Sequence, residues 1–97
     1  MKFNFDYFIS KFSDIPDENW TSGSYFNEQN PAQMCALGHC GDHLGISEEA
    51  NKLCSLAYDI VCVNDGEGDF KKWGDTPKSR VINYLVEMKM QDAALYV

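Results

Sequence analysis

The last quarter of the chain constrains its architecture most. Asp75 or Thr76 stands as a helix cap, Pro77 takes the first helical position, where its missing N–H costs little, and Val81, Ile82, Leu85, Val86 and Met88 follow as an apolar stripe of 3.6-residue period. Such a helix must lay its stripe against other apolar surface, and a chain of 97 residues has room for one core only. With 44% hydrophobic residues, 13% of the chain being aromatic, there is enough apolar surface to offset the chain entropy that keeps polar sequences disordered. The expectation is a single domain over residues 1–97, mainly α, with about four helices and a short β-hairpin.

Other segments fit that plan. Phe5, Phe8, Ile9 and Phe12 recur at helical spacing behind Asn4, a cap residue, and Ser13-Asp14 closes the run. Asp14 is a candidate cap for a single turn through Pro16 that ends at Trp20. Tyr25-Phe26 reads as a short strand, with a turn over Glu28 to Pro31 and a return through Ala32 to Leu37. Ser47 caps a helix whose first turn carries Glu48 and Glu49 on the positive end of its dipole, and which continues through Leu53, Leu56 and Ala57 to Ile60. Ile60 to Val63 is rich in β-branched residues, and Asn64 to Asp69 is turn chemistry extending as a loop to Gly74.

The charge is unevenly spread. Through Asp69 the chain carries −9, and from Phe70 onward +2, for a total of −7. An acidic surface repels phosphate backbones, and one arginine offers little for reading base edges, so no nucleic-acid partner is expected and a basic protein partner fits better. No stretch approaches the ~18 apolar residues of a membrane span, and Asp6 and two lysines interrupt the first twelve residues, unlike a signal peptide. A cytoplasmic protein is therefore expected, without membrane contact, with Cys35, Cys40, Cys54 and Cys62 reduced and the Asn19-Trp20-Thr21 sequon accidental. Cys54 and Cys62 are expected to be buried and Cys35 largely so.

The densest polar cluster is Cys35-Ala36-Leu37-Gly38-His39-Cys40-Gly41-Asp42-His43. On one helix Cys35, His39 and His43 would share a face, as would Gly38, Gly41 and Gly45, through which a neighbour could approach the backbone. Cys35, His39 and His43 with Cys54 or Cys62 are zinc-type ligands, but their spacing forms no knuckle, and no metal or other cofactor is expected. An imidazole beside Cys35 could lower its pKa and make a nucleophile, which gives the alternative of a small Cys–His enzyme using Cys35 with His39 or His43. Asp65, Glu67 and Asp69 alternate as in a calcium loop, yet Phe70 replaces the glycine such a loop requires and Thr76 the closing glutamate.

The segment Asn64 to Asp75 offers a binding surface. Lys71 and Lys72 bring charge, Trp73 a flat face, and the N-terminus of the last helix, with Lys78 and Arg80, a seat for an anion. Trp73 has a second reading as an anchor of this loop on the core.

Trp20, then Cys35-Ala36-Leu37-Gly38-His39-Cys40-Gly41, then Val63-Asn64-Asp65-Gly66, then Thr76-Pro77-Lys78-Ser79-Arg80-Val81-Ile82 resemble, from Trp20 onward, a small uncharacterised family of bacterial and phage proteins. These pair a CALG motif with a later ND motif and a final helix. The resemblance implies an intracellular, phage-associated protein in which the two motifs meet. If they do, the Asn64 side chain can bond backbone groups of the turn or of the Cys35–Gly38 segment and leave Asp65 and His39 near one surface.

The functional expectation is a non-catalytic binding protein, a phage accessory that acts on a host protein or sequesters a small anionic ligand. His39, Asn64, Asp65, Lys71, Lys72, Trp73 and Lys78 are its candidate binding residues. The apolar tail Ala93 to Val97 adds a homo-oligomer as a further structural expectation.

Overall fold

The computed structural model describes residues 3–41 and 47–94. The fold is mainly α with one small hairpin, as expected, although the chain is cut more finely than its sequence suggests. The elements are α1 (Phe5–Ser13), a 3₁₀ turn (Asp17–Asn19), β1 (Phe26–Asn27), β2 (Asn30–Met34), α2 (Ala36–His39), α3 (Glu48–Leu56), α4 (Ile60–Asp65), a 3₁₀ segment (Gly68–Trp73) and α5 (Pro77–Ala94).

The three best helix starts are set by their caps. Asn4 Oδ1 accepts from the Tyr7 N–H at 2.9 Å, and Ser47 Oγ accepts from the Ala50 N–H at 3.1 Å. At α5, Thr76 Oγ1 accepts from the Ser79 N–H while Ser79 Oγ accepts from the Thr76 N–H, each at 3.1 Å, so two otherwise unpaired donors are satisfied reciprocally. Thr76 rather than Asp75 is the cap. Asp14 closes α1 instead of opening the 3₁₀ turn, which starts after Pro16 with no side-chain cap.

α5 packs along α1 and α4, and the buried side chains form one cluster: Phe8 and Phe12 from α1, Leu53 from α3, Ile60 and Val63 from α4, and Val81 and Leu85 from α5. An aromatic ladder crosses it, from Phe8 to Phe12 at 6.0 Å, to Trp20 at 5.4 Å and to His39 at 4.9 Å between ring centres. At its edge Glu49 joins α3 to α1, accepting from the Tyr7 hydroxyl at 2.8 Å and pairing with Lys11 at 2.8 Å. Burial opposes ionisation of Glu49, but the bonds from Lys11, Tyr7 and the Cys40 thiol outweigh it and hold the carboxyl below its ordinary range.

Three expectations change. The helix from Ser47 stops at Leu56, and Ile60 to Val63 forms α4 rather than a β-rich tail. At one helical turn's spacing Ile60 and Val63 are both fully buried, so tertiary burial overrides the β-branched preference. The hairpin turn is tighter than expected, with β2 already paired at Asn30 and the strand ending at Met34.

Among the described residues the helix that begins after Cys35 is also shorter than expected. α2 is a single turn, and Gly41, at φ +86°, takes the chain out of the helical region. His43 and Gly45 lie outside the described residues, as does the tail beyond Ala94. Cys54 and Cys62 are only partly buried, against expectation, while Cys35 and Cys40 are buried. Within α4 the buried face is taken by Ile60, Val63 and Asn64, and Cys62 falls beside it.

Candidate functional site

The two motifs singled out in the sequence meet through one side chain. Asn64, at the end of α4, is 1% exposed. Its Oδ1 accepts from the Ala36 N–H at 3.1 Å, and its Nδ2 donates to the Thr21 carbonyl at 2.9 Å and to Asp65 Oδ1 at 3.1 Å. Ala36 opens α2, so its N–H is one of the donors a helix cannot satisfy by itself. Cys35 caps the same turn, its Sγ accepting from the Gly38 N–H at 3.4 Å. Asn64 thus joins three segments that are distant in sequence: Thr21, the start of α2, and the end of α4.

Arg80 fixes α4 from the other side. Its Nε donates to the Val63 carbonyl at 3.0 Å, which also accepts from the Gly66 N–H, and a terminal nitrogen donates to the Asn64 carbonyl at 2.8 Å, so the guanidinium reinforces the helix end. The sequence reading had placed this arginine beside an anion.

Between the hairpin, α2 and α4 lies a cleft of about 270 Å³. Tyr25, Ala36, Leu37, Ile60 and Val61 supply its apolar wall, and Gly23, Ser24, Cys35, Asn64 and Asp65 its polar rim and floor. Tyr25 and Val61 are 47% and 49% exposed, which leaves apolar surface open at the mouth. Asp65 Oδ1 also accepts from the Gly23 N–H at 2.9 Å, tying the segment before β1 to α4. Its second carboxylate oxygen accepts no hydrogen bond from the described residues.

The cleft depends on a close approach. A Cβ at Gly38 would clash with the Tyr25 carbonyl oxygen and stand 3.0 Å from Met34 Cβ, so only glycine lets the hairpin lie on α2. The Cys35 N–H donates to that same carbonyl at 3.2 Å.

Of the candidate binding residues, the structure brings Asn64 and Asp65 to the cleft together with Cys35. His39 sits at the far end of α2. Its ring lies against Trp20, and Nε2 is 2.9 Å from the Asn19 carbonyl; a carbonyl only accepts, so Nε2 carries the proton. Trp73 stands in the 3₁₀ segment with its ring edge-on to Tyr84 at 5.5 Å and its carbonyl accepting from Asn83 at 2.7 Å, which is the geometry of an anchor. Lys72 lies 5.2 Å above the Trp73 ring. Lys71, Lys72, Trp73 and Lys78 are not among the residues lining the cleft.

The thiol chemistry is equally specific. Burial pushes the Cys35 thiol above its ordinary value, more than the bonds from the Gly38 and Leu37 N–H groups lower it, and the Asp65 charge adds to the rise. Burial raises Cys40 further, with Glu49 contributing. Among the described residues no three His, Cys, Asp or Glu side chains are grouped to hold a metal ion.

The cleft walls at Gly23, Tyr25, Leu37 and Val61 were missed in the sequence. Tyr25 carried a faint signal, as an aromatic residue in an otherwise polar stretch, but Val61 was hidden in a segment read as β-rich. No helix among the described residues is long and apolar enough to cross a membrane. No known protein family, curated protein or solved structure matches the chain.

Proposed function

We propose that this chain is a non-catalytic binding protein, a phage-type accessory that works in the cytoplasm by occupying a partner protein through the cleft between the hairpin, α2 and α4. The observation that carries the reading is the cleft itself. It joins an apolar wall to a small set of convergent polar groups, the usual composition of a recognition site, and it lies where the CALG and ND segments meet. A basic protein partner suits the −9 carried by the first 69 residues. The anionic-ligand version of the reading draws only on Lys71, Lys72 and Lys78, outside the cleft, and the N–H of Thr76 near the α5 start is already taken by Ser79.

The Cys–His alternative has weaker support. A nucleophilic thiol is favoured by a depressed pKa, whereas burial shifts Cys35 upward. The test is iodoacetamide labelling across pH, with each cysteine quantified by peptide mass spectrometry. The expected result is slow labelling of Cys35 at pH 7, behind Cys54 and Cys62, with a rate still rising above pH 9. Rapid labelling of Cys35 that levels off below pH 7 contradicts the reading and favours the enzyme.

A further inference from the structure

We infer that the cleft receives one arginine side chain of a partner polypeptide, with its guanidinium on Asp65 and its aliphatic stem along Tyr25, Leu37 and Val61. The inference rests on the reading of the cleft as a protein-binding site and names what enters it. Size is the first argument. A cleft of about 270 Å³ has room for one long side chain.

Charge is the second argument. Among the described residues no lysine, arginine or histidine lines the cleft, and Asp65 supplies a carboxylate whose second oxygen accepts no hydrogen bond from them. A cationic occupant would complete it, while an anion would meet a fixed negative charge at short range in a partly apolar setting.

The third argument is shape. A guanidinium can donate to the open second oxygen of Asp65, and the methylene stem of arginine packs on apolar surface that a compact ion would leave empty. The half-exposed Tyr25 ring adds apolar surface for that stem. Arginine is also among the residues most often responsible for binding energy at protein interfaces.

The test uses three blocked pentapeptides, Ala-Leu-Xaa-Leu-Ala with Arg, Gln or Glu at the centre, titrated into ¹⁵N-labelled protein and into Asp65→Asn. Asparagine keeps the oxygen that accepts from the Gly23 N–H, so the variant retains the local fold. The expected result is that the Arg peptide shifts the amides of Gly23, Leu37, Val61 and Asp65 and binds at least tenfold more tightly than the Gln peptide, with no saturable binding of the Glu peptide. Asp65→Asn should bring the Arg peptide down to the affinity of the Gln peptide and leave the latter unchanged. Equal binding of all three peptides at the cleft, or an Arg affinity unaltered in Asp65→Asn, overturns the arginine inference but leaves the cleft as a binding site. Absence of any shift at these amides overturns both.

Discussion

Asn64→Ala is expected to lower the melting temperature by roughly 15 °C, the largest effect of any single truncation at the site. Truncation leaves the buried Ala36 N–H and the Thr21 carbonyl without their partner, and an unpaired buried polar group costs about 1–3 kcal/mol. Two such losses come to about 3 kcal/mol, and a domain of this size loses about 4–8 °C per kcal/mol. Asn64→Asp separates the two roles of the side chain. The carboxylate can still accept from Ala36 but cannot donate to Thr21, and it stands beside Asp65. Its folded-state pKa is then raised, so stability is regained as pH falls through that value and the new carboxyl takes up a proton. Thermal melts followed by circular dichroism at pH 7 and pH 4.5 check both variants. A melting point for Asn64→Ala within a few degrees of the parent protein would show that the junction is not held by this residue.

Gly38→Ala sets two physical effects against each other, and the sign of the result decides between them. In a helical position alanine is favoured over glycine by about 1 kcal/mol, so propensity alone makes the variant more stable. The added Cβ, however, meets the Tyr25 carbonyl oxygen at a distance that atoms do not tolerate, with Met34 Cβ also close, and overpacking of this kind costs about 1–3 kcal/mol. The opposing atom is backbone, so no rotamer change relieves it. The hairpin must lift from α2, breaking the bond from the Cys35 N–H and opening the cleft wall at Tyr25. The expected outcome is a net loss of about 2 kcal/mol by urea unfolding, with faster hydrogen exchange at the Cys35 amide. A variant as stable as the parent or more so contradicts the close approach.

How much of this was legible in the sequence depends on the range of the interaction. The starts of α1, α3 and α5 could be read because Asn4, Ser47 and Thr76 act on N–H groups three residues away. The identity of α4 could not, because β-branched Ile60, Val61 and Val63 favour a strand locally and only the burial of Ile60 and Val63 against other elements makes the segment helical. The meeting of Asn64 with the start of α2 was implied only by the resemblance that paired the two motifs; residue chemistry added that an asparagine next to a turn can bond backbone. What it encloses was not: the cleft exists because Gly38 and Asn64, distant in sequence, bring the hairpin and α4 to the same short helix. Trp73 shows the limit from the other direction, since its exposed-looking context in a glycine-rich segment conceals a packing contact with Tyr84.

The central claim is that the cleft between the hairpin, α2 and α4 is where this protein binds. The most direct measurement is a ¹⁵N NMR titration with phenol, a small aromatic probe with one polar tip, run beside inorganic phosphate and repeated on Val61→Trp, whose larger side chain fills the mouth. The account predicts that phenol shifts the amides of Gly23, Leu37, Val61 and Asp65, that these shifts vanish in Val61→Trp, and that phosphate leaves them unmoved. Phenol shifts confined to other surfaces, or phosphate binding at Lys71, Lys72 and Lys78 with the cleft amides silent toward phenol, would contradict it and return the site to the loop before α5.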